Sequence, residues 1–131
     1  RELMRRVVLG SIERETSAPG GGFLIVRAIY GLRRVVIAAS LDSPSFAGRE
    51  IVAEVTEVGD CVQALVEDSR VQIIASSKST MLGFWDPTAL DDDERALRIW
   101  YKFRETLHDC IVSDDEPLEL PLSTHRMIDQ S

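Results

Sequence analysis

The chain has 131 residues, 44% of them hydrophobic, and a formal net charge of −7. That length supports one well-cored domain, and the acidic balance lacks the surplus of Lys and Arg that neutralises phosphate, which argues against nucleic acid or anionic lipid as a general partner. Its longest apolar runs, FLIV at 23–26 and VVIAA at 35–39, fall far short of the ~20 residues that a bilayer-spanning helix needs.

The chain opens at Arg1 without a charged-then-apolar leader, so it is expected to be the C-terminal part of a longer protein whose targeting information lies upstream. In RELMRRVVLGSIERETSA, Leu3, Met4, Val7, Val8 and Ile12 fall near helical spacing, with Arg5, Arg6, Glu13 and Arg14 on the other side. A short amphipathic helix is predicted. Pro19 and the glycines at 20–22 stop it, and they read as a flexible hinge.

From residue 22 the period changes to two. Strands are predicted at 22–30, 33–41, 50–57, 61–67 and 70–76, with turn residues between them. In ALRIWYKFR, 96–104, Leu97, Ile99, Tyr101 and Phe103 alternate with Arg98, Trp100, Lys102 and Arg104, giving one buried and one exposed face. The segments TLHDCIVS and PLELP continue the series. The predicted fold is therefore mainly β, an antiparallel β-sandwich or open barrel of about seven or eight short strands preceded by the helix. Its organisation divides into helix and hinge at 1–21, β domain at 22–122 and tail at 123–131.

Chemistry-bearing residues are sparse. Cys61 and Cys110 lie in predicted strands with neither a disulfide framework nor a zinc spacing, and read as free buried thiols. His108 shares a strand face with Cys110, but no third catalytic member or oxyanion turn accompanies them; His108 reads as a half-exposed strand residue. Asp91, Asp92, Asp93 and Glu94, with Asp86 in the same long loop, lack the alternate-residue spacing of a calcium loop and read as a solvated acidic run. The glycines at 20–22 lack the Lys and Ser or Thr of a phosphate loop. No catalytic residue, metal site or cofactor is predicted.

The stretch MLGFWDP, 81–87, places Phe84 and Trp85 in a loop. Either these aromatics staple the loop onto the core, or Trp85 at least is an anchor for a protein partner. Trp100, between Arg98 and Lys102 on the polar side of its strand, should either pack under a neighbouring loop or lie open. Phe84, Trp85, Arg98 and Trp100 are the candidate interaction residues.

The second half of the chain carries an ordered pattern: Gln63, Leu65-Val66 and Asp68-Ser69; Ser77-Lys78; Gly83-Phe84, Trp85 and Asp86-Pro87; Tyr101, Phe103-Arg104 and Leu107-His108; then Leu118, Pro121 and His125-Arg126. With GFLIVRAIYG at 22–31, it resembles the C-terminal domain of the DnaJ homolog subfamily C member 11 family over about residues 22–126. Glu105 stands in place of the family's hairpin glycine, and 33–56 matches poorly.

The resemblance implies a non-enzymatic interaction module of a mitochondrial, membrane-associated DnaJ-like co-chaperone, with partners among the subunits of contact-site and cristae-organising complexes. It also implies an upstream J domain, whose His-Pro-Asp tripeptide does not occur in this chain. Alternative expectations are a domain that binds extended client peptides, and a structural cap for the rest of the parent protein.

Overall fold

A computed structural model of the chain describes residues 2–42, 55–73 and 94–121. Helix α1, Glu2–Thr16, leads into strand β1, Phe23–Leu32, which passes directly into a short helix α2, Arg33–Ala38. Strand β2, Val55–Glu57, helix α3, Gly59–Gln63, and strand β3, Val71–Ile73, follow. The long strands β4, Arg95–Phe103, and β5, Thr106–Ser113, form a hairpin before strand β6, Leu118–Leu120.

The strands make a four-stranded antiparallel sheet in the order β2-β1-β4-β5 and a two-stranded antiparallel sheet of β3 and β6. The mainly β, antiparallel architecture with a leading helix is as predicted, and among the described residues the sheet does not close into a barrel. Six strands occur among the described residues rather than seven or eight.

Two segments predicted as strands are helical. Within 33–41, α2 takes up Arg33–Ala38, and within 61–67, α3 ends at Gln63, so Cys61 lies on a helix. Val58, Val62 and Val66 are all buried at intervals of four residues, the spacing of one helix face across α3 and its two ends. In α2 the β-branched Val35, Val36 and Ile37 favour a strand locally. Burial of Val36 against the sheet outweighs that preference.

The register assigns side chains to two sheet faces. On one, Phe23, Ala28, Tyr30, Leu97, Ile99, Tyr101, Cys110 and Val112 meet Val62 of α3 and Val71, Ile73, Leu118 and Leu120 of the small sheet. This is the sandwich core. Phe23, Tyr101 and His108 stack in series across β1, β4 and β5, with centroid separations of 4.7 Å at both steps. On the other face, Ile29, Val55, Ala96 and Trp100 form a smaller core under Val36 of α2.

Helix α1 packs on α3 and β1 with Val8, Ser11 and Glu15 facing inward. The buried Glu15 carboxylate accepts the Phe23 N–H at 2.8 Å and the Ser69 hydroxyl at 2.6 Å. The Gln63 side chain accepts the Ile25 N–H at 2.8 Å and donates to the Ser11 hydroxyl at 2.9 Å, and that hydroxyl donates to the Gln63 carbonyl at 3.1 Å. After α1, Gly21 N–H bonds to the Ala18 carbonyl and closes a turn. Gly22 then passes so close to α1 that a Cβ there would lie 2.5 Å from the Glu15 carbonyl oxygen.

Phe103 pairs with Thr106, leaving Arg104 and Glu105 as a two-residue hairpin loop with φ of 51° and 68°. This is the left-handed pattern that Asn-Gly normally supplies. Two non-glycine residues here leave local strain. Glu105→Gly is therefore expected to stabilise the fold by about 1 kcal/mol, and Gly22→Ala to destabilise it by about 2 kcal/mol through the clash with backbone. Urea unfolding of the two variants checks both signs.

Candidate functional site

Of the candidate interaction residues, Phe84 and Trp85 lie outside the described residues, as do Asp86, the acidic run Asp91–Asp93 and His125. Arg98 and Trp100 are described and sit together on β4. The structure takes the covered alternative for Trp100: its side chain is 2% exposed, packed with Ile29, Val55, Ala96 and Val36. The strict polar face predicted for β4 is thus corrected, because α2 lies over it and buries Ala96 and Trp100.

Arg98 holds that helix in place. One terminal nitrogen donates to the carbonyls of Val36, Ile37 and Ala39 at 3.2, 3.1 and 2.7 Å. The rest of the guanidinium pairs with Asp109 on β5 through two bonds, 3.0 Å from Nε and 2.7 Å from the other terminal nitrogen. It also lies 4.6 Å from the Trp100 ring centroid. A cation at the carboxyl end of a helix meets its unpaired carbonyls and the negative end of its dipole. One side chain therefore ties α2, β4 and β5 together.

Arg27, displaced in register by the bulge between Ile25 and Arg27, repeats the device one strand over. It donates to the Ser40 and Leu41 carbonyls at 3.3 and 3.2 Å and pairs with Glu57 of β2 at 2.8 Å. The result is a near-symmetric clamp: two guanidiniums on the central strands hold α2 and the residues after it, each neutralised by a carboxylate on the flanking strand. Sequence reasoning missed Arg27 and Glu57. A single arginine inside FLIVRAIY was the available signal, since a charge in an apolar strand demands a partner.

His108 and Cys110 do share a face, as predicted, and it is the core face. His108 is buried rather than half-exposed, stacked on Tyr101, with Nδ1 2.7 Å from the Thr106 carbonyl oxygen, so that nitrogen carries the proton as donor. Burial pushes the Cys110 thiol up to about 12. A thiol so placed stays protonated at neutral pH and is a poor nucleophile. Cys61 is half-buried, and burial together with the adjacent Asp60 raises it too.

Among the described residues no group of three His, Cys, Asp or Glu is placed to hold a metal ion, and no helix is long and apolar enough to cross a membrane. A cleft of about 730 Å3 opens between the turn after α1, the 68–69 turn and the β4–β5 loop. It mixes Asp68, Arg70, Arg104 and Glu119, with no convergent set of one charge.

The profile of the family described as DnaJ-like protein C11, C-terminal, matches residues 1–121. The chain belongs to that family. Among its relatives, DnaJ homolog subfamily C member 11 of Mus musculus is 34% identical over 125 residues, which is 95% of this chain and 20% of the relative. The Bos taurus protein of the same name matches with the same figures. The Dictyostelium discoideum homolog is 30% identical over 124 residues, 94% of this chain and 20% of its own length. This chain spans about a fifth of the length of the curated relatives it matches. No solved structure matches it. The family match begins at residue 1 and takes in α1, whose buried Ser11 and Glu15 bond to the β domain.

Arg98→Ala is expected to cost about 2 kcal/mol, since it leaves Asp109 and three carbonyls without their donor in a half-buried setting. In a Trp85→Phe background, Trp100 emission should shift to longer wavelength as α2 loosens; unchanged emission would contradict the clamp. For Cys110, the raised folded value means that stability from keeping the thiol neutral is present below pH 9.0 and lost as pH rises toward about 12. At pH 8 a thiol reagent should label Cys61 slowly but ahead of Cys110, which should react only at the rate of unfolding.

Proposed function

We propose that this domain is a non-enzymatic protein-docking module, through which a mitochondrial DnaJ-like co-chaperone attaches to the complexes that organise contact sites and cristae. The observation that carries the reading is the family match along nearly the whole chain, to a region named as C-terminal in proteins five times longer. In such a parent the J domain would engage a chaperone ATPase, and this domain would determine where that engagement happens. Its described side chains suit the role: His108 and Cys110 face inward and Arg27 and Arg98 hold structure together, while a sheet edge and exposed apolar side chains stay on the surface.

One feature favours a second reading, a structural cap for the rest of the parent protein. Helix α1 leaves Leu3, Val7, Leu9 and Ile12 exposed, Leu3 by 74%, and a neighbouring part of the same polypeptide could cover them.

Crosslinking mass spectrometry on mitochondria that contain the tagged full-length protein separates the two. Carboxylate-reactive linkers are needed, because Lys78 and Lys102 are the chain's two lysines. Links from this domain to subunits of another membrane assembly are the expected outcome. Links confined to the parent's own upstream regions would replace docking by the cap.

A further inference from the structure

We infer that the outer edge of β5 is a strand-addition site that takes an extended apolar segment of a partner protein with a basic flank; this rests on the docking reading and names the surface that performs it. The hydrogen-bond phase of the sheet carries the argument. Asp114 N–H bonds to the Arg95 carbonyl and Arg104 N–H to the Gly22 carbonyl. In an antiparallel pair the bonded positions alternate, so the main-chain groups of Thr106, His108, Cys110 and Val112 face β4. Those of Leu107, Asp109 and Ile111 face outward. Among the described residues no strand pairs with them.

An open edge of this kind is normally blunted by a lysine, a proline, a bulge or brevity. Strand β5 has none of these: it runs eight residues, TLHDCIVS, in unbroken register with β4. The strand at the opposite edge, β2, has three residues among those described. The one charge on β5, Asp109, is already paired with Arg98, so it does not repel an incoming strand.

The edge also specifies its occupant. Only an extended backbone can satisfy three outward N–H and C=O pairs at alternate positions. Leu107 and the exposed Ile111 flank Asp109 on one face of the sheet, and call for apolar side chains opposite them. Beyond the strand lies an acidic turn in which Asp114 accepts the Tyr30 hydroxyl and Glu116 the Ser113 N–H, while the exposed Asp115 matches a basic flank on the incoming segment. A second copy of the chain fits less well, because each copy brings a net charge of −7.

The test is an NMR titration of the 15N-labelled 131-residue chain with a synthetic peptide of alternating valine and threonine carrying two lysines at one end. Shifts concentrated at the Leu107, Asp109 and Ile111 amides are expected. Ile111→Pro removes an outward N–H that makes no bond inside the sheet, a position where an edge strand tolerates proline. It should weaken binding at least about tenfold while leaving the melting temperature near that of the parent chain. Should this variant unfold, Ile111→Lys serves instead, with the same expected loss. No shift at millimolar peptide, shifts elsewhere, or binding unaffected by the substitution would overturn the assignment. Dimerisation of the chain alone, abolished by the same substitution, would put a second copy on the edge and also overturn it. Partner crosslinks from other surfaces with β5 unshifted would sink this inference and leave docking standing. A β5 that binds peptide in a protein linked to no partner would uphold the site and remove docking.

Discussion

Strand β4 has to bury side chains on both of its faces, and most of the architecture follows from that requirement. One face carries Leu97, Ile99 and Tyr101 into the sandwich core, where α3 and the β3–β6 sheet cover it. The other carries Ala96 and Trp100, which need a cover of their own. A helix of six residues provides it, too short to be stable by itself. Its hold on the sheet comes from Val36 below and from Arg98 at its carboxyl end. Asp109 and Glu57 then become necessary, because each half-buried guanidinium requires a counter-charge. The chain Trp100, α2, Arg98, Asp109 is one dependency.

The leading helix is tied to the domain by polar groups more than by apolar area. Glu15 bridges the start of β1 and the 68–69 turn, and Gln63 links Ser11 to β1. Buried polar groups that are fully satisfied specify position sharply, and Gly22 allows the close approach on which these bonds depend. The apolar side chains of α1 that remain outside are therefore a surface property and not the means by which the helix is attached.

Much of the sheet was legible in the sequence because its long strands alternate. Segments 22–30, 96–104 and TLHDCIVS all appear as strands within a residue or two. Helices α2 and α3 were not legible: α2 carries Val35, Val36 and Ile37, whose local preference is for strand, and α3 at five residues is too short to show a helical period. Trp100 was ambiguous for the same reason: its burial depends on a helix that periodicity did not reveal. The Arg98–Asp109 pair links strands through a register that no local window contains. Glu105, by contrast, was visible as a departure from the family's hairpin glycine, and the structure shows its cost in a positive φ.

Family membership places the domain among DnaJ-like proteins, and among the described residues Arg27, Arg98, Glu15, His108 and Cys110 are taken up by the fold itself. Docking through this domain depends most on β5 being an open edge with alternating main-chain groups. Residue-resolved hydrogen exchange of the free chain tests this directly. Slow exchange at His108, Cys110 and Val112 with fast exchange at Leu107, Asp109 and Ile111 is the result the account requires. Uniform protection along β5 would mean that the edge is already covered, and would contradict it.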